Sequence, residues 1–348
     1  MKTIGLVLIF AAAAWGNPIY TVADLGGLGG ASATGYAVNS SGTVAGWGLT
    51  SSGNQQGFIS TPIGLQALTA GGNETYAYGI NDSGTVVGTT YTNGQAHGTI
   101  WSGSGTTDLG ANSYAMAIND SGEVAGGNGN AFAAVNGQIE TLGTMPGADW
   151  SAAYGINAAG TVVGDERLAN GTFQGMVWNT DGSITVLGTL GGASSQATGI
   201  NGSGDVVGFA SLRSGYQNAF SIVDGMMVNL GTLGGGSSYA YGVNDSGEIV
   251  GYSWLSDGGQ SAFLYYDGTM LDLNSLIPSN SGWDLLQAYG INASGQITGI
   301  GLYDGQLSAF LATDPPPPAE TPEPREVVLV GAALLLMAFC RARRTLTL

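Results

Sequence analysis

The sequence predicts an all-β fold, a seven-bladed β-propeller of four-stranded repeats, followed by a hydrophobic helix at the C-terminus. Three observations carry this. One segment ending in an asparagine turn returns seven times, two further elements keep nearly the same count, and glycine fills 62 of 348 positions. That glycine share is about 18%, against a usual figure of roughly 7%.

The recurring segment reads Gly35-Tyr-Ala-Val-Asn39-Ser-Ser-Gly42-Thr-Val-Ala-Gly46 at its first occurrence. Equivalent asparagines follow at Asn81, Asn119, Asn157, Asn201, Asn244 and Asn292, with steps of 42, 38, 38, 44, 43 and 48 residues. A small residue followed by an apolar pair recurs at the same spacing, as in Gly57-Phe58-Ile59, Ala131-Phe132, Ala219-Phe220 and Ala309-Phe310-Leu311. A Leu-Gly element recurs at Leu25-Gly26, Leu109-Gly110, Leu142-Gly143, Leu187-Gly188 and Leu230-Gly231, and weakens to Ala67-Leu68 and Asp272-Leu273 elsewhere.

Each unit therefore holds about four short strands at a period of roughly 43 residues, the signature of a propeller blade. Asn-x-Ser-Gly is the tight loop between two of them. Asparagine and glycine tolerate positive φ there, and the asparagine side chain bonds its own backbone two residues on. The seven asparagines are thus structural turn residues. A β-solenoid is the alternative architecture, but its coils run to about 20–30 residues and need caps, and the sequence shows none. Either the blades run in phase or the N-terminal strand completes the last sheet, and the pattern leaves this open.

The excess of glycine has no Gly-X-Y period, which excludes collagen, and a hydrophobic share of 43% argues against disorder. Acidic residues outnumber basic ones 24 to 7, for a net charge of −17. Between residues 17 and 314 the bases are Arg167 and Arg213 alone. Such a surface repels phosphate backbones, so no nucleic-acid partner is expected. The single cysteine, Cys340, excludes an intramolecular disulfide.

The two ends read as addresses. Residues 1–16 form a signal peptide, with Lys2 before an apolar core and small residues Ala14 and Gly16 at the cleavage site. Residues 17–314 are the repeat body. Residues 315–324 are a proline-rich linker, an extended spacer running from Pro315 to Pro324. Residues 325–348 hold the apolar run Val327 to Cys340 and the basic cluster Arg341, Arg343 and Arg344. An apolar segment followed by arginines halts translocation with the basic end in the cytoplasm, placing the chain at least transiently in the inner membrane.

Pro322-Glu323-Pro324, one hydrophobic segment and a terminal arginine cluster, in that order, resemble the PEP-CTERM sorting signal of Gram-negative bacteria. The resemblance implies an exosortase partner that cuts near Pro322, Glu323 and Pro324. It further implies a final location at the cell surface or outside it. Residues 20–311 resemble the extracellular HAF repeat, although its histidine survives in one copy only, at Ala96-His97-Gly98. That family implies an exported repeat protein and carries over no catalytic residue.

Candidate chemistry is sparse. His97 has no second histidine or cysteine to act with, so no Ser-His-Asp set can be assembled and no catalytic residue is assigned. Asp149 and the pair Asp165-Glu166 are the least repeat-like acids and read as solvated loop tips. As a pair of carboxylates they are also the candidates for a hydrolase or lyase. Asp82, Asp120 and Asp245 follow the turn asparagine and offer hard oxygen ligands for Ca²⁺. Their counterparts are Ser40, Ala158, Gly202 and Ala293, so a turn role is preferred, with no metal and no cofactor. Trp47, Trp101, Trp178, Trp254 and Trp283 read as core, and Trp150 and Tyr216 as loop platforms for sugar stacking. The expectation is a non-enzymatic cell-surface or matrix protein of a biofilm, binding exopolysaccharide or an envelope partner through one face. The alternative is a carbohydrate-active hydrolase or lyase.

Overall fold

A computed structural model describes residues 19–314, in seven four-stranded antiparallel sheets. The chain is a seven-bladed β-propeller. Ala14 and Gly16, the Pro322-Glu323-Pro324 motif, Arg341, Arg343, Arg344 and the expected C-terminal helix lie outside the described residues. No helix among the described residues is long and apolar enough to cross a membrane. One short 3-10 turn, Leu273–Leu276, interrupts the strands.

Within a blade the strands follow chain order from the channel outwards. Blade 1 comprises Gly29–Val38, Val44–Thr50, Gln55–Thr61 and Gly64–Ala67. The Gly-Ile-Asn segment is innermost, Gly-x-Val-Val-Gly is second, Ala-Phe is third, and the Leu-Gly element belongs to the outer edge of the preceding blade. Blade 7 borrows its outer strand from the other end of the chain. Thr21–Asp24 pairs antiparallel with Gln306–Thr313, so the ring is closed by an N-terminal strand. The Ser308 hydroxyl donates to Asp24 across the same junction.

The core lies between the blades. The Ala-Phe element buries Phe58, Phe132, Phe220, Phe263 and Phe310 completely, with Met176 at the equivalent place in blade 4. Burial of each such ring is worth about 2–3 kcal/mol. The small residue before it lets the next blade approach. At five junctions a hydroxyl from that blade accepts the small residue's N–H: Thr75 from Gly57, Ser113 from Gly98, Ser151 from Ala131, Ser195 from Gly175 and Ser238 from Ala219, at 2.7–2.9 Å.

The glycine closing Gly-x-Val-Val-Gly is fixed by crowding. A Cβ at Gly46 would sit 2.0 Å from the Thr34 carbonyl oxygen, and one at Gly88 would sit 1.8 Å from that of Tyr76. The second strand runs too close to the innermost one for any side chain there.

Candidate functional site

Every innermost strand carries a bulge at the same place. In blade 1, Gly35 pairs with Gly46 and Ala37 with Ala45, leaving Tyr36 unpaired between them. The same shift isolates Tyr78, Met116, Tyr154, Thr198, Tyr241 and Tyr289. A bulge re-aims the extra residue, and here all seven line the central channel. They enclose a cavity of about 510 Å³ with no charged side chain in its wall.

The wall is lopsided. Trp47, Tyr76, Tyr78, Tyr36, Tyr289, Tyr241, Tyr252, Tyr239 and Phe209 form one unbroken run of ring contacts, with centroids 4.7–6.2 Å apart. It spans blades 5, 6, 7, 1 and 2. Burial pushes the phenol of Tyr76 up to about 12, with the Glu74 charge adding to the effect. Tyr78, Tyr154, Tyr241 and Tyr289 are raised further by the same cause, so all stay neutral donors at ordinary pH.

Behind the opposite wall lies a buried acid. Asp165 lies in the second strand of blade 4, Val162–Leu168, paired across from Ala152. Its column elsewhere reads Trp47, Thr89, Gly127, Phe209, Tyr252 and Ile300, so it alone is charged. Asp165 is 0% exposed. The Gln196 amide donates to its Oδ2 at 2.6 Å, Tyr154 bonds the same carboxyl, and Oδ1 has no partner. Burial, with a smaller push from the Glu166 charge, outweighs these bonds and raises the carboxyl to about 7. Tyr154 and Gln196 both face the cavity, so they connect the acid to it.

This corrects the expectation of solvated loop tips: Asp165 and Glu166 are both strand residues with 0% exposure. As neighbours on a strand they point to opposite faces, and Glu166 turns instead to accept the Met145 N–H at 3.0 Å. Asp149 pairs with Arg167 at 2.9 Å on the surface, which holds its carboxyl below the ordinary range. No two of the three form a facing pair. Trp150, expected in a loop, sits in the strand Ala148–Ile156, edge-on to Phe173. Tyr216 is a loop residue and 58% exposed. Trp101 and Trp178 are buried, whereas Trp254 is 37% exposed and so is not a core residue. His97 sits on the third strand of blade 2 with Nδ1 2.9 Å from Asp108.

At the other end of the channel the seven turn asparagines form a closed ring. Each Nδ2 donates to the carbonyl of the next: Asn39 to Asn81, then Asn119, Asn157, Asn201, Asn244, Asn292 and back to Asn39, at 2.8–3.2 Å. Each Oδ1 meanwhile accepts from its own turn, as Asn39 does from Thr43 N–H at 2.9 Å. Asp82, Asp120 and Asp245 accept the backbone N–H of Ser40, Asp82 and Gly202 in the neighbouring blade, at 2.7–2.9 Å. Among the described residues no cluster of three or more His, Cys, Asp or Glu could hold a metal.

The bulged ring is the feature that reasoning from sequence missed. The signal was present, since tyrosine stands three places before the asparagine in five repeats. It becomes legible only once that strand is known to be innermost.

Fold and site together define a seven-bladed propeller with an aromatic channel mouth. No protein-family model matches the chain, and no curated protein is similar to it. The likeness to solved structures is one of fold alone. A puromycin-hydrolysing peptidase from Mycobacterium tuberculosis aligns with a TM-score of 0.54 at 12% identity, over 82% of this chain and 52% of that one. TolB from Acinetobacter baumannii gives 0.47 at 11% identity, over 78% of this chain and 64% of that one. A gluconolactonase from Xanthomonas campestris gives 0.43 at 14% identity, over 69% and 86%. This chain thus spans about half the length of the peptidase and less than two thirds of that of TolB.

The peptidase overturns the expectation that the chain is not an enzyme. It is an enzyme that shares this architecture, so the fold gives no ground for excluding catalysis. The lone histidine removes one catalytic arrangement and leaves carboxylate chemistry untouched.

Proposed function

We propose that this chain is an exported propeller that binds exopolysaccharide at the tyrosine-lined mouth of its channel. The observation that carries the reading is the unbroken run of nine rings, seven of them tyrosines, of which Tyr36, Tyr78, Tyr241 and Tyr289 line an uncharged cavity. Aromatic faces stack on the C–H faces of sugar rings, and neutral phenols donate and accept at the hydroxyls. The sorting signal supports export, with exosortase as the processing partner and the cell surface or matrix as the destination.

The test is binding of the purified full chain to a broad glycan array, with and without calcium. Tyr241→Ala and Tyr289→Ala are compared with the parent. Selective binding that each variant weakens by about tenfold supports the reading. A blank array, or binding indifferent to both variants, sinks it.

One observation favours a second reading, catalysis at the same mouth. Burial raises the Asp165 carboxyl to about 7, and Tyr154, which faces the cavity, would pass a proton between it and a bound glycan. Release of new chain ends by the parent, abolished in Asp165→Asn with binding retained, would establish it.

A further inference from the structure

The aromatic run does not stop at the channel. Tyr252 touches channel-lining Tyr241 at 6.0 Å and Tyr239 at 4.9 Å. Two places further along the same strand, Ile249–Leu255, stands Trp254. Residues two apart on a strand share a face, about 7 Å from one another, and between them Ser253 is buried on the other side. Trp254 is 37% exposed and borders a groove of about 460 Å³ at the seam of blades 5 and 6.

Across that groove lies Tyr216, in the loop of blade 5 that precedes Gln217–Val223. Its floor is Gly234-Gly235-Gly236. Crowding fixes two of these glycines. A Cβ at Gly236 would fall 2.6 Å from the Tyr216 ring, and one at Gly235 would fall 2.4 Å from the Trp254 carbonyl oxygen. The backbone of blade 6 therefore supports one face of Tyr216 and leaves 58% of the residue exposed. Tyr216 departs from the repeat, since its place in blades 1, 2, 4 and 7 holds Asn54, Gln95, Thr172 and Gln306. The place of Trp254 is aromatic once more, as Tyr91 in blade 2, and holds Leu49, Arg167 and Ser211 in blades 1, 4 and 5. An aromatic the repeat does not call for, set across a groove from an exposed tryptophan, is what a ligand site requires and what blade packing does not.

No charged side chain lines either the groove or the channel cavity, and the chain as a whole carries −17. Acidic polymers are repelled at long range and meet no cation in either wall. From this continuity we infer that the channel mouth and the seam groove are subsites of one track, and that its occupant is a neutral linear polysaccharide. The polymer lies from Tyr241 across Tyr252 to Trp254 and Tyr216. This rests on the glycan reading proposed above and adds the length and charge class of the ligand.

The experiment is a calorimetric titration of the full chain with size-graded neutral β-glucan and mannan oligosaccharides, and with an alginate ladder as the acidic counterpart. Affinity is expected to climb with neutral chain length and then level off. Tyr216→Ala and Trp254→Ala should each weaken the longest oligosaccharides about tenfold while leaving the shortest unchanged. Trp254→Phe should keep most of the gain, and unchanged melting curves confirm that the variants fold. Length-independent binding that is lost in Tyr241→Ala but not in Tyr216→Ala overturns the track and leaves the channel reading standing. Preference for alginate overturns the neutral class. No binding to any ladder overturns both.

Discussion

The side-chain amide of Asn292 donates to the carbonyl oxygen of Asn39 at 2.8 Å, joining residues 253 apart in sequence. It is the last of seven such bonds and the one that closes the circle. The turn asparagine therefore serves two levels at once. Its oxygen shapes a local loop, and its amide ties neighbouring blades together at the channel.

Replacing Asn292 by alanine removes the bond to Asn39, a second from Nδ2 to Gln296, and the acceptor used by the Ser294 and Gln296 N–H groups. These groups are largely buried, so the expected loss is about 2–3 kcal/mol. Urea unfolding of the full chain measures it. Asn292→Asp restores the turn acceptor but sets an oxygen against the Asn39 carbonyl, and should not rescue. Full rescue by aspartate would show that only the turn matters.

The close approach at Gly88 makes a different forecast. Alanine there places a methyl 1.8 Å from the Tyr76 carbonyl oxygen, a backbone atom that cannot swing aside. Gly88→Ala should cost about 2–4 kcal/mol, whereas Gly103→Ala, where a Cβ meets nothing within 4 Å, should cost far less. Thermal melts of the two variants side by side decide the point. Equal shifts would mean that the blade relaxes and crowding is not the reason for the glycine.

Asp165 ties stability to pH. Its folded carboxyl sits at about 7 against an ordinary 3.8, so the folded protein holds this proton more tightly than the unfolded chain. The resulting stabilisation is complete below the unfolded value and is lost as pH rises through the folded one. Stability of the parent relative to Asp165→Asn should therefore fall between about pH 4 and pH 7, by up to ~4 kcal/mol, and stay level above. Denaturant midpoints across that range provide the measurement. A constant difference would mean that the Asp165 carboxyl ionises freely.

The sequence by itself determined the count and kind of unit. Seven asparagine turns, the Ala-Phe element and Gly-x-Val-Val-Gly specify strand, turn and period, because each depends on residues adjacent in the chain. Tertiary structure alone decided the phase of the blades. Pairing of Thr21–Asp24 with Gln306–Thr313 is a contact between the two ends, and no local pattern encodes which strand lies innermost. From that phase follows the site. The same periodicity that makes tyrosine recur also hides it, since Tyr36 and Tyr289 look like any strand aromatic until seven bulges turn one column towards one axis. Asp165 was misplaced for a related reason. An acid next to an acid and an arginine resembles a solvated loop tip, and only the packing of blade 4 against blade 5, with Ala152 opposite and Gln196 above, makes room to bury it. Local sequence sets local conformation, while burial and convergence are properties of the closed ring.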